Sequence, residues 1–176
     1  HLVAEEKPII KLLTYNVAIF GGEKEFDNIM KIIENADADI VCLQEFGFYT
    51  RHNLLTEYQV LSRFSKMYPY RHLWYKNQRN NMSWGVATFS KYPIIHKEKI
   101  EYSSDYNVSI YSDVVIKLDT VRIFNNHLES NKLTMGDVKH YKSLSDDFSH
   151  EKLWRITEKF SYKLGAAYRV RAKQAR

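Results

Sequence analysis

The sequence is short of most of the residues that mark specialised chains. It has one cysteine, Cys42, so no intrachain disulfide can form, and that thiol lies in an apolar run where a small core residue is expected. Six Gly and three Pro exclude a collagenous or low-complexity chain. No apolar stretch approaches the roughly 20 residues of a membrane span. No signal peptide is visible. Either feature would fit upstream of His1, so the compartment stays open and the chain is read as a soluble fragment. Chemical signatures are missing too: there is no phosphate-cradling glycine loop, no nucleophile elbow, no paired-cysteine motif and no zincin helix.

What is present is a chain of 176 residues, 44% apolar, long enough to bury a core as one domain or a large piece of one. Its 26 Lys and Arg against 21 Asp and Glu give +5, which suits phosphorylated or polyanionic partners without requiring them. The start at His1 without Met, and the stop at Arg176 inside an uncapped helical pattern, lead us to expect a trimmed chain. Residues 1–8 read as a polar lead-in and residues 9–176 as part of one domain.

The chain is organised around Asp39-Ile40-Val41-Cys42-Leu43-Gln44-Glu45, a run too short and too β-branched for a helix. It reads as a strand covered on both faces that releases a carboxylate at its carboxyl end, where α/β sheets concentrate ligand sites. Upstream, Ile9 to Val17 reads as a strand that turns polar at Asn16. Phe26, Ile29, Met30 and Ile33 then make the stripe of an amphipathic helix. Strand, helix and strand form a βαβ unit, so the two strands are expected to run parallel and to present Asn16 and Glu45 at one rim.

Downstream, Leu54 to Met67 has helical spacing and is closed by Pro69. The period then falls to two in Tyr70–Tyr75, Trp84–Ser90, Ile94–Tyr102, Val108–Leu118 and Val121–Leu128, with turns at Asn80-Asn81 and Asp119-Thr120. We read these as an antiparallel meander continuing the first sheet. The last strand ends on His127, a third ionisable or amide side chain at a strand end. Asn107 and the loop Asn80 to Trp84 could line a substrate groove, but both read first as solvated turns. From Asp137 onward the pattern is helical, and Lys159, Lys163, Arg169, Arg171, Lys173 and Arg176 fall on one basic face, read as solvated.

A carboxylate, an amide and an imidazole on one rim form part of a phosphoester site. Glu45 is suited to hold a hard cation, Mg²⁺ or Mn²⁺, since an oxygen donor without a Cys or His cluster argues against zinc. Asn16 is placed to orient that ion's shell or a phosphate oxygen. His127 is placed to donate to a non-bridging phosphate oxygen and stabilise the charge that builds as water attacks.

Four segments, Thr14-Tyr15-Asn16-Val17, Asp39 to Glu45, Phe89-Ser90-Lys91-Tyr92-Pro93-Ile94-Ile95 and Asn126-His127-Leu128-Glu129-Ser130, resemble in order the motifs of the endonuclease/exonuclease/phosphatase superfamily. The His-Leu-Glu-Ser form looks most like tyrosyl-DNA phosphodiesterases and their bacterial homologues. The resemblance implies a two-sheet α/β sandwich of the deoxyribonuclease I type, of which this chain supplies mainly the N-terminal half. It implies Mg²⁺-dependent hydrolysis of phosphoesters by in-line attack of water. Glu45 takes the place of the metal-binding glutamate, Asn16 of the first active-site asparagine and metal-shell residue, and His127 of the first phosphate-contacting histidine.

The family's Gly-Asp-x-Asn and Ser-Asp-His motifs are missing. Gly136-Asp137-Val138-Lys139 lacks the asparagine, and Ser145 to His150 has the wrong spacing. Residues Arg171 to Ala175 resemble the segment that precedes the first missing motif. The chain is therefore expected to carry the metal-anchoring half of the site and to be inactive alone. A single-sheet reading of residues 9–128 would leave an open apolar face, for which we expect cover from the rest of the polypeptide or from a second copy. The rival reading from another class is a non-catalytic module binding nucleic acid or phospholipid headgroups. The substrate is not legible.

Overall fold

A computed structural model describes residues 9–21, 23–49, 55–79, 82–102 and 107–128, and the helical residues Tyr162, Gly165, Ala166, Tyr168, Arg169 and Ala172. His1–His127 form one compact unit and Leu128–Arg176 a second. The Asn80-Asn81 turn and most of the basic helical face lie outside the described residues; Arg169, within them, is helical and exposed.

In the first unit, β1 (Leu12–Asn16), α1 (Glu23–Ala36) and β2 (Ile40–Tyr49) form the expected βαβ unit, with β1 parallel to β2 and Asn16 opposite Gln44. Helix α2 (Glu57–Ser65) starts later than the apolar spacing alone indicates. A capping box sets the start: the Thr56 hydroxyl accepts from Gln59 N–H, and the Gln59 side chain accepts from Thr56 N–H. Strands β3 (Tyr70–Arg79) and β4 (Met82–Ser90) complete a first sheet in the order β1-β2-β4-β3.

Beyond β4 the expected meander does not continue that sheet. Strands β5 (Ile94–Ile100), β6 (Val108–Ile116) and β7 (Asp119–His127) form a separate antiparallel sheet. The break falls at Pro93, which has no N–H to give a ladder; its carbonyl instead accepts from Val115 of β6 at 2.9 Å. The β6–β7 turn is at Lys117-Leu118, immediately before the expected Asp119-Thr120, and Lys117 takes a positive φ of 56°.

Strands β2 and β4 are buried on both faces, so two covers are needed. On one side Phe26, Met30 and Ile33 of α1 and Val60 and Phe64 of α2 meet Val41, Leu43, Phe46 and Phe89. Phe64 stacks on Phe89 with centroids 4.2 Å apart, and Phe46 packs edge-on to both Phe20 and Phe64. On the other side Ile40 and Cys42 meet Val114 and Ile116, and Val86 meets Val108 and Ile110. The inner face expected to lie open is thus covered by β5–β7. Burial pushes the Cys42 thiol up to about 11, which keeps it protonated and inert. Among the described residues no helix is long and apolar enough to cross a membrane.

Candidate active site

The site is built where three strands end. Parallel pairing sends β1 and β2 toward the same rim, and β7 reaches it from the second sheet. Asn16 Nδ2 donates to Glu45 Oε1 at 2.9 Å, and His127 Nε2 lies 3.4 Å from the same oxygen. All three residues expected from the sequence therefore meet, although they are far apart along the chain. The Glu45 side chain is 37% exposed and that of His127 17%, so the cluster opens to solvent on the carboxylate side.

The backbone at Glu45 explains how the carboxylate gets there. Gln44 pairs with Val86 and Phe46 with Gly85, so Glu45 is the extra residue of a β-bulge, with φ of 50°. Val41 and Leu43 face the helices; strict alternation would turn Glu45 to that core and Phe46 away from it. The inserted residue restores Phe46 and Phe48 to the aromatic core and leaves Glu45 at the rim. Gly85 sits opposite because a Cβ there would fall on the Trp74 carbonyl. A second register shift, between Tyr75 and Asn77, flanks the other side of the same glycine.

Asn16 is held in a definite orientation. Its Oδ1 accepts from Ala18 N–H at 3.0 Å, which fixes the amide with its NH₂ toward Glu45. The turn it caps, Ala18–Phe20, has φ of 45°, 56° and 59°, followed by Gly21 at 63°. Such a left-handed run of L-residues is held by Phe20, which is fully buried and edge-on to Phe26 and Phe46. With its oxygen bonded to Ala18 N–H, Asn16 turns its NH₂ donors toward Glu45.

Four neighbours were not among the expected site residues. Trp84 packs edge-on against the His127 ring at 5.7 Å. Asn107, read first as a solvated turn, is 1% exposed, and among the described residues neither of its side-chain polar atoms has a hydrogen-bond partner. It precedes Val108, the β6 partner of His127. Gln44 and Asn125 join across the sheets by one hydrogen bond of 2.7 Å. The signal for Asn125 was its spacing: two residues before His127 on a strand, it shares that residue's face.

Among the described residues no group of three or more His, Cys, Asp or Glu side chains could hold a metal ion. The donor set still fits Mg²⁺, which is commonly held through one or two carboxylates with water and substrate phosphate completing its shell. Glu45 would be that single carboxylate.

Two layered sheets with flanking helices and a polar cluster at one end define an α/β sandwich with an edge site. A model of the endonuclease/exonuclease/phosphatase family matches residues 13–170, and the chain belongs to that family. Its fold is the α/β sandwich of the deoxyribonuclease I type, shared with an endonuclease/exonuclease/phosphatase family protein from Leptotrichia buccalis C-1013-b at a TM-score of 0.54 and 13% identity over 81% of this chain. Truncated TDP2 from Caenorhabditis elegans is similar at a TM-score of 0.49 and 18% identity over 78% of this chain. The chain spans 63% and 54% of those two chains respectively. A search of curated proteins found no match.

Proposed function

We propose that the protein, in its intact form, is a Mg²⁺- or Mn²⁺-dependent phosphoester hydrolase acting as a phosphodiesterase or nuclease, with Glu45 as the metal-anchoring carboxylate and Asn16 and His127 as the groups that hold the phosphate. The observation that carries the reading is the meeting of Asn16 and His127 on one oxygen of Glu45. Family membership supports it at the coarser level, since endonucleases, exonucleases and phosphatases all hydrolyse phosphoesters. A bound divalent ion would supply charge neutralisation at the phosphate and a more acidic water.

The chain's own contribution is placement. Asn16 NH₂, aimed by the Ala18 bond, orients the Glu45 carboxylate and donates toward an incoming phosphate oxygen. His127 Nε2 donates to a non-bridging oxygen as negative charge accumulates there. A group that activates water has no recognisable motif within these 176 residues. Strands β1 and β7, which carry Asn16 and His127, each pair on one side only among the described residues. Polypeptide added beside either strand would bring further groups to the same rim, and we assign the water-activating role to such residues. The chain alone is then expected to bind the cation without turnover.

The test uses bis(4-nitrophenyl) phosphate with Mg²⁺ or Mn²⁺, with and without EDTA, on protein carrying this chain together with its remaining sequence. Metal-dependent hydrolysis that falls about 100-fold or more in Glu45→Ala is the expected result. Equal activity of that variant would overturn the assignment of Glu45. Binding of a phosphorylated ligand that ignores EDTA, with no turnover, would instead favour a non-catalytic module.

A further inference from the structure

Directly below Asn16, Glu45 and His127 lies a second polar trio drawn from the same three strands. Thr14 is two residues before Asn16, Gln44 one before Glu45, and Asn125 two before His127. Gln44 Nε2 donates to Asn125 Oδ1 at 2.7 Å and to Thr14 Oγ1 at 3.2 Å. Asn125 Nδ2 donates to the carbonyls of Leu43 at 3.2 Å and Ala87 at 2.9 Å, with Thr88 Oγ1 at 3.5 Å. One amide from β7 is thereby tied to both central strands of the opposite sheet.

We infer that Thr14, Gln44 and Asn125 form a positioning layer that fixes β7 against β2 and so sets the spacing of His127 from Glu45. The role rests on the proposed function, because it matters only if that spacing is used. Apart from the His72–Ser112 contact between β3 and β6, the buried packing between the sheets is largely aliphatic: Ile40, Val86, Ile110, Val114 and Ile116. Such a contact attracts without direction, so it does little to resist a small slide of one sheet over the other. Hydrogen bonds have direction, and because Asn125 is buried, breaking its bonds would strand donors and carbonyls without partners, although Gln44 is half-buried and Thr14 exposed.

A buried aliphatic residue at position 125 would fill the layer without needing any partner. The amide found there satisfies three of its four hydrogen-bonding sites across the interface. His127 lies two residues further on the same strand, and Glu45 follows Gln44 through the bulge. A shift in the lower layer must therefore reach the rim, where an error of about 1 Å can cost on the order of 100-fold in rate.

Trp84 supplies a readout that does not involve turnover. It sits on the first sheet, edge-on to His127 of the second. In the chain labelled with 5-fluorotryptophan, the fluorine resonance of Trp84, assigned by loss in Trp84→Phe, reports where the end of β7 lies. Asn125→Ala is expected to move or broaden that resonance. Gln44→Met, which keeps the Asn125 carbonyl bonds, should do so to a lesser extent and serves where Asn125→Ala fails to fold.

Val114→Ala loosens the same interface at its aliphatic end and should leave the resonance in place. An unchanged Trp84 signal in folded Asn125→Ala or Gln44→Met, or an equal change in Val114→Ala, would overturn the positioning role while leaving the proposed hydrolysis untouched. Conversely, a moved signal in a protein whose metal dependence survives Glu45→Ala would keep the clamp and refute the catalytic reading. In the intact enzyme Asn125→Ala should lower kcat about 100-fold with KM little changed.

Discussion

Glu45 combines the single carboxylate of the cluster with a backbone conformation that L-residues avoid, and the two can be separated experimentally. Consider Glu45→Ala and Glu45→Gly. Both remove the carboxylate and its contacts with Asn16 and His127, so those losses cancel when the variants are compared. What differs is the backbone. At an ordinary strand position Ala is more stable than Gly by roughly 0.5–1 kcal/mol. At φ of 50° the Cβ of Ala approaches the following carbonyl, at a cost of roughly 1–2 kcal/mol that Gly escapes. The order should therefore invert, with Glu45→Gly more stable by roughly 0.5–1 kcal/mol. In urea unfolding that difference moves the midpoint by roughly 0.4 M for a typical slope. Ala equal to or above Gly would mean that the bulge residue is not in the left-handed region, and the account of how the carboxylate reaches the rim would fail.

Other outcomes follow from the same packing. His72 is nearly fully buried between the sheets with Nδ1 3.0 Å from Ser112 Oγ; burial, with Lys97 nearby, pushes its pKa down to about 4, while backbone contact with Tyr111 and the charge of Glu98 only partly oppose this. Its neutral form therefore supports the fold above about pH 6.5, and that support is lost as pH falls toward 4; wild type should lose about 2–3 kcal/mol between pH 7 and 4.5 that His72→Asn does not, and parallel urea midpoints would refute this. Gly85→Ala should destabilise by about 3 kcal/mol or lower the yield of folded protein, because the Trp74 carbonyl occupies the Cβ position. Ala18→Gly, at an exposed residue with φ of 45°, should raise stability by about 1 kcal/mol in the same assay. Phe64→Ala should cost about 3–5 kcal/mol, since the ring stacks on Phe89 inside a fully buried cluster.

Much of this was legible before any coordinates. The stripe Phe26, Met30, Ile33 announced α1, and strand–helix–strand order fixed β1 parallel to β2, because a parallel neighbour requires a crossover. The same logic brought Asn16 and Glu45 to one rim. The split into two sheets was not legible from alternation, since a strand of period two looks the same whichever sheet it joins; Pro93 was the available signal. The bulge was hidden for a related reason. Val41, Leu43, Phe46 and Phe48 share a face only if one residue is inserted, and a reader expecting strict alternation sees instead a strand that stops at Glu45. Asn107 was misjudged because Asn is usually solvated, and only the pairing of Val108 with His127 shows that it lies beside the site.

The irregular backbone is not scattered. Asp37 and Lys117 have positive φ at a helix end and a hairpin turn, where such values are ordinary. Among the described residues the remaining non-glycine cases are Ala18, Ile19, Phe20 and Glu45, which flank the amide and the carboxylate that meet at 2.9 Å. Strain of this kind persists only where neighbours over-determine the conformation. Phe20 ends the left-handed turn and Phe46 follows the bulge, and the two rings pack edge-on at 5.6 Å. The two strained segments are therefore anchored to each other through one buried contact in the aromatic core. The spacing of Asn16 and Glu45 is set from beneath by that ring pair, much as Asn125 and Gln44 set the approach of His127, so the rim inherits its geometry from the layer beneath it.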